Sequence, residues 1–240
     1  MTNYYEKIGQ AEDRIGLRFF ANIVQKRFKT GRILDFGCGT GYFLKRFSKP
    51  GYQLIGYDLS LSALEHAKRI NPQAMFIADP NRDIDDESID CICALHVLEH
   101  IKEPSHTIGL FLRKLKRHGL LFIVVPNSRS LGKRIKGEHW FAYGDPTHCS
   151  LFAPRIWTEI ITSHGFDLEK IGTDGLWNVP YLKFVPLALQ KLIFYPTAAF
   201  QYWFNVLFLP LPLGENLILV CRKRDIREPI PVSAQEPDHD

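Results

Sequence analysis

A doubly wound α/β fold around a mostly parallel sheet is predicted by three features of the sequence. Short apolar runs alternate with segments of helical period, the order in which βαβ units are written. The runs Arg32–Phe36 and Leu120–Val125 are apolar with little alternation, as in strands covered on both faces. A glycine-rich segment, 37–41, stands where the first run hands over to a helix.

The elements follow in order. Residues 11–28 place Ile15, Phe19 and Ile23 on one line and Phe20, Val24 and Phe28 on the next, the stripe of an amphipathic helix. Strand 32–36 is followed by a helix at about 42–48, strand 53–57, a helix over 61–70 with Ser60 as N-cap, and strand 74–78. Strand 89–95, a helix over 98–117 and strand 119–125 complete the regular part. Regularity then lapses from Asn127 to Ala153, and a loop of that length in a compact domain is usually functional. A helix over 154–164, closed by Gly165, leads to strand 166–171, and the last strand reads 216–222. Between the last two strands, 176–214 is aromatic and proline-rich, with Lys183 and Lys191 as its only charges.

With 240 residues, 45% hydrophobic and 23% charged, the chain suits one soluble globular domain and excludes wholesale disorder, collagen and coiled coil. Thirty Lys and Arg face 26 Asp and Glu, but five of the acids lie in 225–240. A basic body, 1–224, thus precedes an acidic tail, 225–240, whose composition predicts disorder. Five cysteines without a CxxC pair, and Tyr4, Tyr5, Glu6 and Lys7 in place of a signal peptide, fit a reducing cytoplasm.

The run Ile33-Leu-Asp-Phe-Gly-Cys-Gly-Thr-Gly41 predicts a nucleotide-like ligand, because glycines let backbone approach it and a helix N-terminus offers free N–H groups. Tyr42 breaks the GxGxxG dinucleotide spacing, and no Lys-Ser/Thr pair follows for a triphosphate loop. Asp58 ends the second strand, where an acid can accept both ribose hydroxyls, and Asp79 ends the third, within reach of an adenine amine.

The segments LDFGCGTGYFL, IGYDLS and FIAD, the run Ile92-Cys-Ala-Leu-His-Val-Leu-Glu-His-Ile101 and the strand ending at Pro126 together resemble the class I S-adenosylmethionine-dependent methyltransferases. The resemblance spans roughly residues 12–224. It implies a Rossmann-like sheet of seven strands, mostly parallel, with an antiparallel last strand, here carrying an apolar helical insert at 174–214. It also implies S-adenosyl-L-methionine as cofactor. Gly37, Gly39 and Gly41, with Cys38 among them, would hold the methionine part, and Asp35 would engage its amino group. Asp58 would take the ribose, with Leu59 beside it; Asp79 the adenine; Leu95 and His96 would flank the sulfonium. Phe36 and Cys38 are tolerated variants of the pattern, and 79–89 lacks a clear helix.

His96-Val-Leu-Glu99-His100 matches a zinc-protease spacing, but it bridges a strand end and a helix start, where the two histidines need not share a face. Some relatives that methylate small-RNA ends or quinone precursors carry an ExxEH cluster that binds a divalent ion with a later His; here His96 replaces the first Glu, and an Asp145-Pro-Thr-His148 run lies downstream. Glu99 and His100 are therefore read as capping or packing groups, and no metal ligand is assigned. Methyl transfer needs mainly alignment, and an oxygen acceptor also benefits from a base near neutrality. His148, in the irregular loop after the fifth strand, is the candidate base, with His139 and Tyr143 behind it.

The block 111–137 carries eight Lys and Arg and no acid, and a solvated basic face accounts for it better than a nucleic-acid groove. The insert reads as a pocket wall, a surface lying on lipid, or a homodimer contact. The activity expected is methyl transfer to a small-molecule acceptor, a hydroxyl on a lipid-linked, polyprenoid or sugar-containing compound. Rival readings are a catalytically silent cofactor-binding partner subunit and an RNA methyltransferase.

Overall fold

The computed structural model describes residues 15–207 and 209–225. Its centre is a seven-stranded sheet in the order β3-β2-β1-β4-β5-β7-β6. The strands are β1 (Gly31–Phe36), β2 (Tyr52–Tyr57), β3 (Met75–Ile77), β4 (Ile89–Leu95), β5 (Leu115–Pro126), β6 (Phe166–Thr173) and β7 (Asn216–Lys223). The first five pair in parallel, while β7 runs antiparallel to both β5 and β6. The chain winds outward in both directions from β1 and β4, so their carboxyl ends border the crevice where such sheets bind ligands.

Side chains alternate across the pleat, and neighbours in sequence enter different cores. Ile33, Cys91, Phe122 and Val220 face one side, under α1 (Ile15–Arg27), α2 (Tyr42–Lys45) and α3 (Leu61–Ile70). Leu34, Ile92, Ile123 and Leu219 face the other, under α5 (Pro104–Lys114) and α7 (Pro154–Ser163). Each fully buried residue of this size contributes roughly 1.5–3 kcal/mol, so a two-sided sheet explains the unalternating apolar runs.

Several expected boundaries shift. The expected line through Ile15 is not buried at its start: Ile15 is 68% exposed, and α1 packs through Phe19, Phe20, Ile23 and Val24. The helix expected at 98–117 divides into a 3-10 turn, Leu98–His100, and α5, which Pro104 opens at its first turn. Residues 115–117 belong to β5, where pairing of Leu115 with Ile89 overrides their helical pattern. Helix α2 stops at Lys45, beyond which bonds from Phe47 to Leu44 and from Ser48 to Lys45 continue only as turns. The stretch after Asp79 holds a one-turn helix, α4 (Pro80–Asp83).

The irregular region contains α6 (Leu131–Lys136) and two 3-10 turns, Gly137–His139 and Phe141–Gly144. Within the insert one long helix forms, α8 (Leu187–Phe204), with Pro196 inside it, and irregular segments lead into and out of it. Of the acidic tail only Asp225 is described, where it accepts a hydrogen bond from Arg117; 226–240 lie outside the described residues.

Candidate active site

The glycine loop is drawn tightly over the ends of β1 and β2. The N–H groups of Gly37 and Cys38 both donate to the Tyr57 carbonyl, at 2.7 and 2.8 Å. At Gly37 φ is +78°, and a Cβ there would overlap Val97 in the segment after β4. At Gly41 φ is +82°, and a Cβ would stand 2.7 Å from Asn71 Nδ2, which donates to the Gly41 carbonyl at 3.0 Å. Only glycine satisfies both the backbone and the space at these two points. Asn71, fully buried at the end of α3, was not singled out by the sequence, because a lone Asn after a helix looks like an ordinary C-cap.

Asp58 supports the loop directly. Its Oδ2 accepts from Gly39 N–H and its Oδ1 from Ser60 N–H, both at 2.8 Å. These two bonds tie the glycine loop to the N-cap turn of α3. Asp35 lies beneath, 2% exposed, with Oδ2 lacking any hydrogen-bond partner. Burial, then the nearby Asp58 charge, push its pKa up to about 8. Asp35, Gly37, Cys38, Gly39 and Thr40 line a cleft whose far wall is Leu95 at the tip of β4, with Leu17 of α1 at its edge. Leu59 is exposed at the mouth of β2, and Asp79 caps α4 by accepting from Asn81 N–H.

The acceptor side is built around the turn after β4. His96 adopts φ +55°, an uncommon backbone for a non-glycine residue, and its Nδ1 stands 3.3 Å from Glu99 Oε1. Glu99 is 1% exposed, and neither of its carboxylate oxygens has an aligned hydrogen bond. Its backbone carbonyl accepts from Cys149 and Ser150 N–H, both at 2.9 Å, which clips the 145–150 loop onto the turn.

That clip brings His148 against His100, with ring centroids 4.6 Å apart. The Ala142 carbonyl, 2.6 Å from His148 Nδ1, can only accept, so Nδ1 carries a proton and Nε2, 4.0 Å from Asp145 Oδ2, is the lone-pair nitrogen of the neutral ring. Thr147 Oγ1 donates to Asp145 Oδ1 at 2.6 Å and accepts from His100 Nδ1 at 2.7 Å, which leaves His100 Nε2 in the same state. Burial holds His100 below the usual imidazole pKa. One ligand atom from each of Glu99, His100 and His148 lies within 4.8 Å of the others, an arrangement able to hold a divalent cation. In sequence Glu99 and His100 read as capping or packing groups with His148 only downstream of them; the folded 145–150 loop brings His148 to the pair. His139 is exposed, and Tyr143 packs edge-on to Trp140 with Lys133 above its ring, so neither joins the pair.

Two further acids went unnoticed in the sequence. Asp174, at the end of β6, accepts from Asn216 N–H and Nδ2 and from Trp177 Nε1, and burial raises its pKa to about 6. Trp177 in turn packs on Phe141 at 5.2 Å, joining the insert to the acceptor loop. Glu215 accepts from Tyr181 Oη at 2.5 Å and Trp140 Nε1 at 3.4 Å, making the same junction one layer deeper.

A family model described as a methyltransferase domain matches residues 7–171, more than half of the chain. The chain belongs to the S-adenosylmethionine-dependent methyltransferase family. This methyltransferase is 28% identical over 169 residues to a ubiquinone biosynthesis O-methyltransferase of Idiomarina loihiensis, covering 64% of this chain and 68% of that one. It is 37% identical over 67 residues to a malonyl-[acyl-carrier protein] O-methyltransferase of Legionella pneumophila, covering 27% of this chain and 24% of that one. The chain therefore spans about a quarter of the second relative and about two thirds of the first. In fold it is similar to a methyltransferase from Archaeoglobus fulgidus, with a TM-score of 0.65 and 20% identity over 92% of this chain and all of that one. The cofactor is S-adenosylmethionine. The buried, unpartnered Asp35 oxygen and the two crowded glycines suit its ammonium and the close approach of its chain.

Proposed function

We propose that this enzyme methylates a hydroxyl of a small molecule, either an apolar lipid-linked or polyprenoid compound or a sugar-containing one, with His148 as general base. The observation that carries this is the 2.6 Å approach of His148 Nδ1 to the Ala142 carbonyl: it commits Nδ1–H, so in the neutral ring Nε2, 4.0 Å from Asp145 Oδ2, is the nitrogen that takes the hydroxyl proton. When bound, the cofactor supplies a sulfonium methyl group ready for in-line displacement. Asp35 then holds the ammonium, Asp58 with Leu59 the ribose, Asp79 the adenine end, and Leu95 and His96 border the reacting edge. Trp177 and Phe141 form an apolar wall that excludes water from the acceptor. Residues 1–224 act as one methyltransferase domain, with 174–214 as the substrate-side insert and its outer face toward lipid.

The relatives, O-methyltransferases of ubiquinone biosynthesis and of malonyl-[acyl-carrier protein], support an oxygen acceptor. The test is incubation with methyl-labelled cofactor and fractionated extract. Label in the organic phase that falls at least about 100-fold in rate for His148→Ala is expected. An undiminished rate in that variant rejects the base.

A second reading rests on the convergence of Glu99, His100 and His148. A divalent cation there would bind the acceptor oxygen and lower its pKa, replacing the base. Chelation separates the two: activity lost to a chelator and restored by added cation favours the metal, and indifference to it favours imidazole.

A further inference from the structure

Helix α8 is built inside out. Its buried residues are Gln190, Ala198 and Gln201. Gln190 Oε1 accepts from Tyr181 and Leu182 N–H at 2.6 and 2.9 Å, and its Nε2 donates to the Leu182 and Val185 carbonyls, both at 2.7 Å. Gln201 Nε2 donates to the Thr173 carbonyl at 2.9 Å. The apolar side chains point outward: Leu192 is 72% exposed and Trp203 82%, with Ile193, Phe200 and Phe204 also exposed and Phe184, just before the helix, at 98%. Positions 192, 196, 200 and 203 follow one helical stripe, so the exposure is a face rather than scattered points. A helix that packs on a soluble core has the reverse pattern, and an exposed apolar face of this kind marks a contact surface.

Charge decides what that surface meets. No acid occurs from 176 to 214, and Lys183 and Lys191 are both exposed. Helix α1 borders α8 through Phe19 and Tyr202, with rings 4.9 Å apart, and through Lys26 Nζ, which donates to the Asn205 carbonyl at 2.9 Å. Helix α6 borders the insert through Lys136, which donates to the Asn178 carbonyl. Neither α1 nor α6 contains an acid, while they carry Arg18, Lys26, Arg27, Lys133, Arg134 and Lys136. A second copy seated on this face by a two-fold axis would set cations against cations. An anionic phospholipid surface complements them. At 18 residues α8 is about 27 Å long, and among the described residues no helix is long and apolar enough to cross a membrane.

We propose that α8, with Phe184, lies flat on an anionic phospholipid surface, its apolar side chains in the acyl boundary and the flanking lysines and arginines at the headgroups. This deepens the reading of an apolar acceptor, since it sets the enzyme on the phase in which such an acceptor dissolves.

The test uses the full chain and sedimenting vesicles of phosphatidylcholine, with or without phosphatidylglycerol. Binding is expected only with phosphatidylglycerol, weakened by salt and accompanied by a blue shift of tryptophan emission. The double variant Leu192→Asp, Trp203→Asp is expected to lose binding, and Lys183→Glu, Lys191→Glu to weaken it by at least about tenfold. Both variants alter exposed side chains, and unchanged cofactor affinity confirms that they fold. Failure of the wild-type chain to sediment while it still binds cofactor overturns the proposal, as does equal binding to pure phosphatidylcholine. A dimer in buffer that the Asp variant dissociates assigns the face to a second copy instead. Vesicle binding without label in any organic product rejects the apolar acceptor and leaves the docking surface standing.

Discussion

Asp35 carries opposing demands of stability and binding in one side chain. Its carboxyl is buried against Asp58 with one oxygen unpartnered, so the free protein holds it protonated up to about pH 8. An arriving ammonium needs it ionised. Asp35→Asn is therefore expected to raise the unfolding midpoint, more at pH 8 than at pH 5, while weakening cofactor affinity about 10- to 100-fold, the loss of one charge-assisted bond. Denaturant melts at the two pH values and calorimetric titration of cofactor check both halves; a variant that binds normally removes Asp35 from the site. Asp58→Ala adds a second case, because it also frees the Gly39 and Ser60 N–H groups. It is expected to weaken cofactor binding and to cost about 1–3 kcal/mol of stability. Asp58 stood out in the sequence as an acid at a strand tip, and Asp35 through the family resemblance of the glycine-rich run that it precedes. Asn71, Asp174 and Glu215 carried no such mark, since bonds that give them their roles reach 30, 42 and 75 positions along the chain.

Among the elements, the sheet was the most legible part, because a strand buried on both faces writes itself as an apolar run with turns around it. What the pattern could not show was competition between elements. Residues 115–117 have helical neighbours, yet the ladder to Ile89 takes Leu115, and Lys114 turns inward to donate to the Ile84 carbonyl at 2.6 Å. The loop 127–153 is held by tertiary bonds that no local spacing encodes, above all the junction of Trp140, Tyr181 and Glu215. That junction ties the loop bearing Ala142, the carbonyl that orients His148, to the insert. Glu215→Gln keeps the volume and removes the charge, and is expected to lower kcat with little change in cofactor affinity. Glu215→Ala is expected to destabilise by about 2–4 kcal/mol, leaving the Tyr181 hydroxyl and the Trp140 N–H buried without their acceptor. Steady-state kinetics beside cofactor titration decides it: a loss of cofactor affinity equal to the loss of kcat would mean that Glu215 supports the whole fold rather than the acceptor loop.

For the molecule as a whole, the buried acids set how stability varies with pH. Asp35 and Asp174 have folded pKa values raised to about 8 and about 6, and Glu215 is raised by burial as well. Unfolded, such groups lose their protons near pH 4, so between pH 4 and 8 the unfolded state binds fewer protons than the folded one. Stability then falls as pH rises through that window. His100 opposes this near pH 6.5, because a folded pKa below the usual value adds stability as pH rises; one imidazole is outweighed by three carboxyls. The urea midpoint of the free enzyme is thus expected to be higher at pH 5.5 than at pH 8.5, with an unchanged m-value. Saturating cofactor should flatten the slope, since an ammonium beside Asp35 lowers that pKa and removes its share, while Asp174 and Glu215 keep theirs. A midpoint that rises with pH would show that the three acids are ionised in the folded protein. A slope that cofactor leaves untouched would place the bound ammonium away from Asp35.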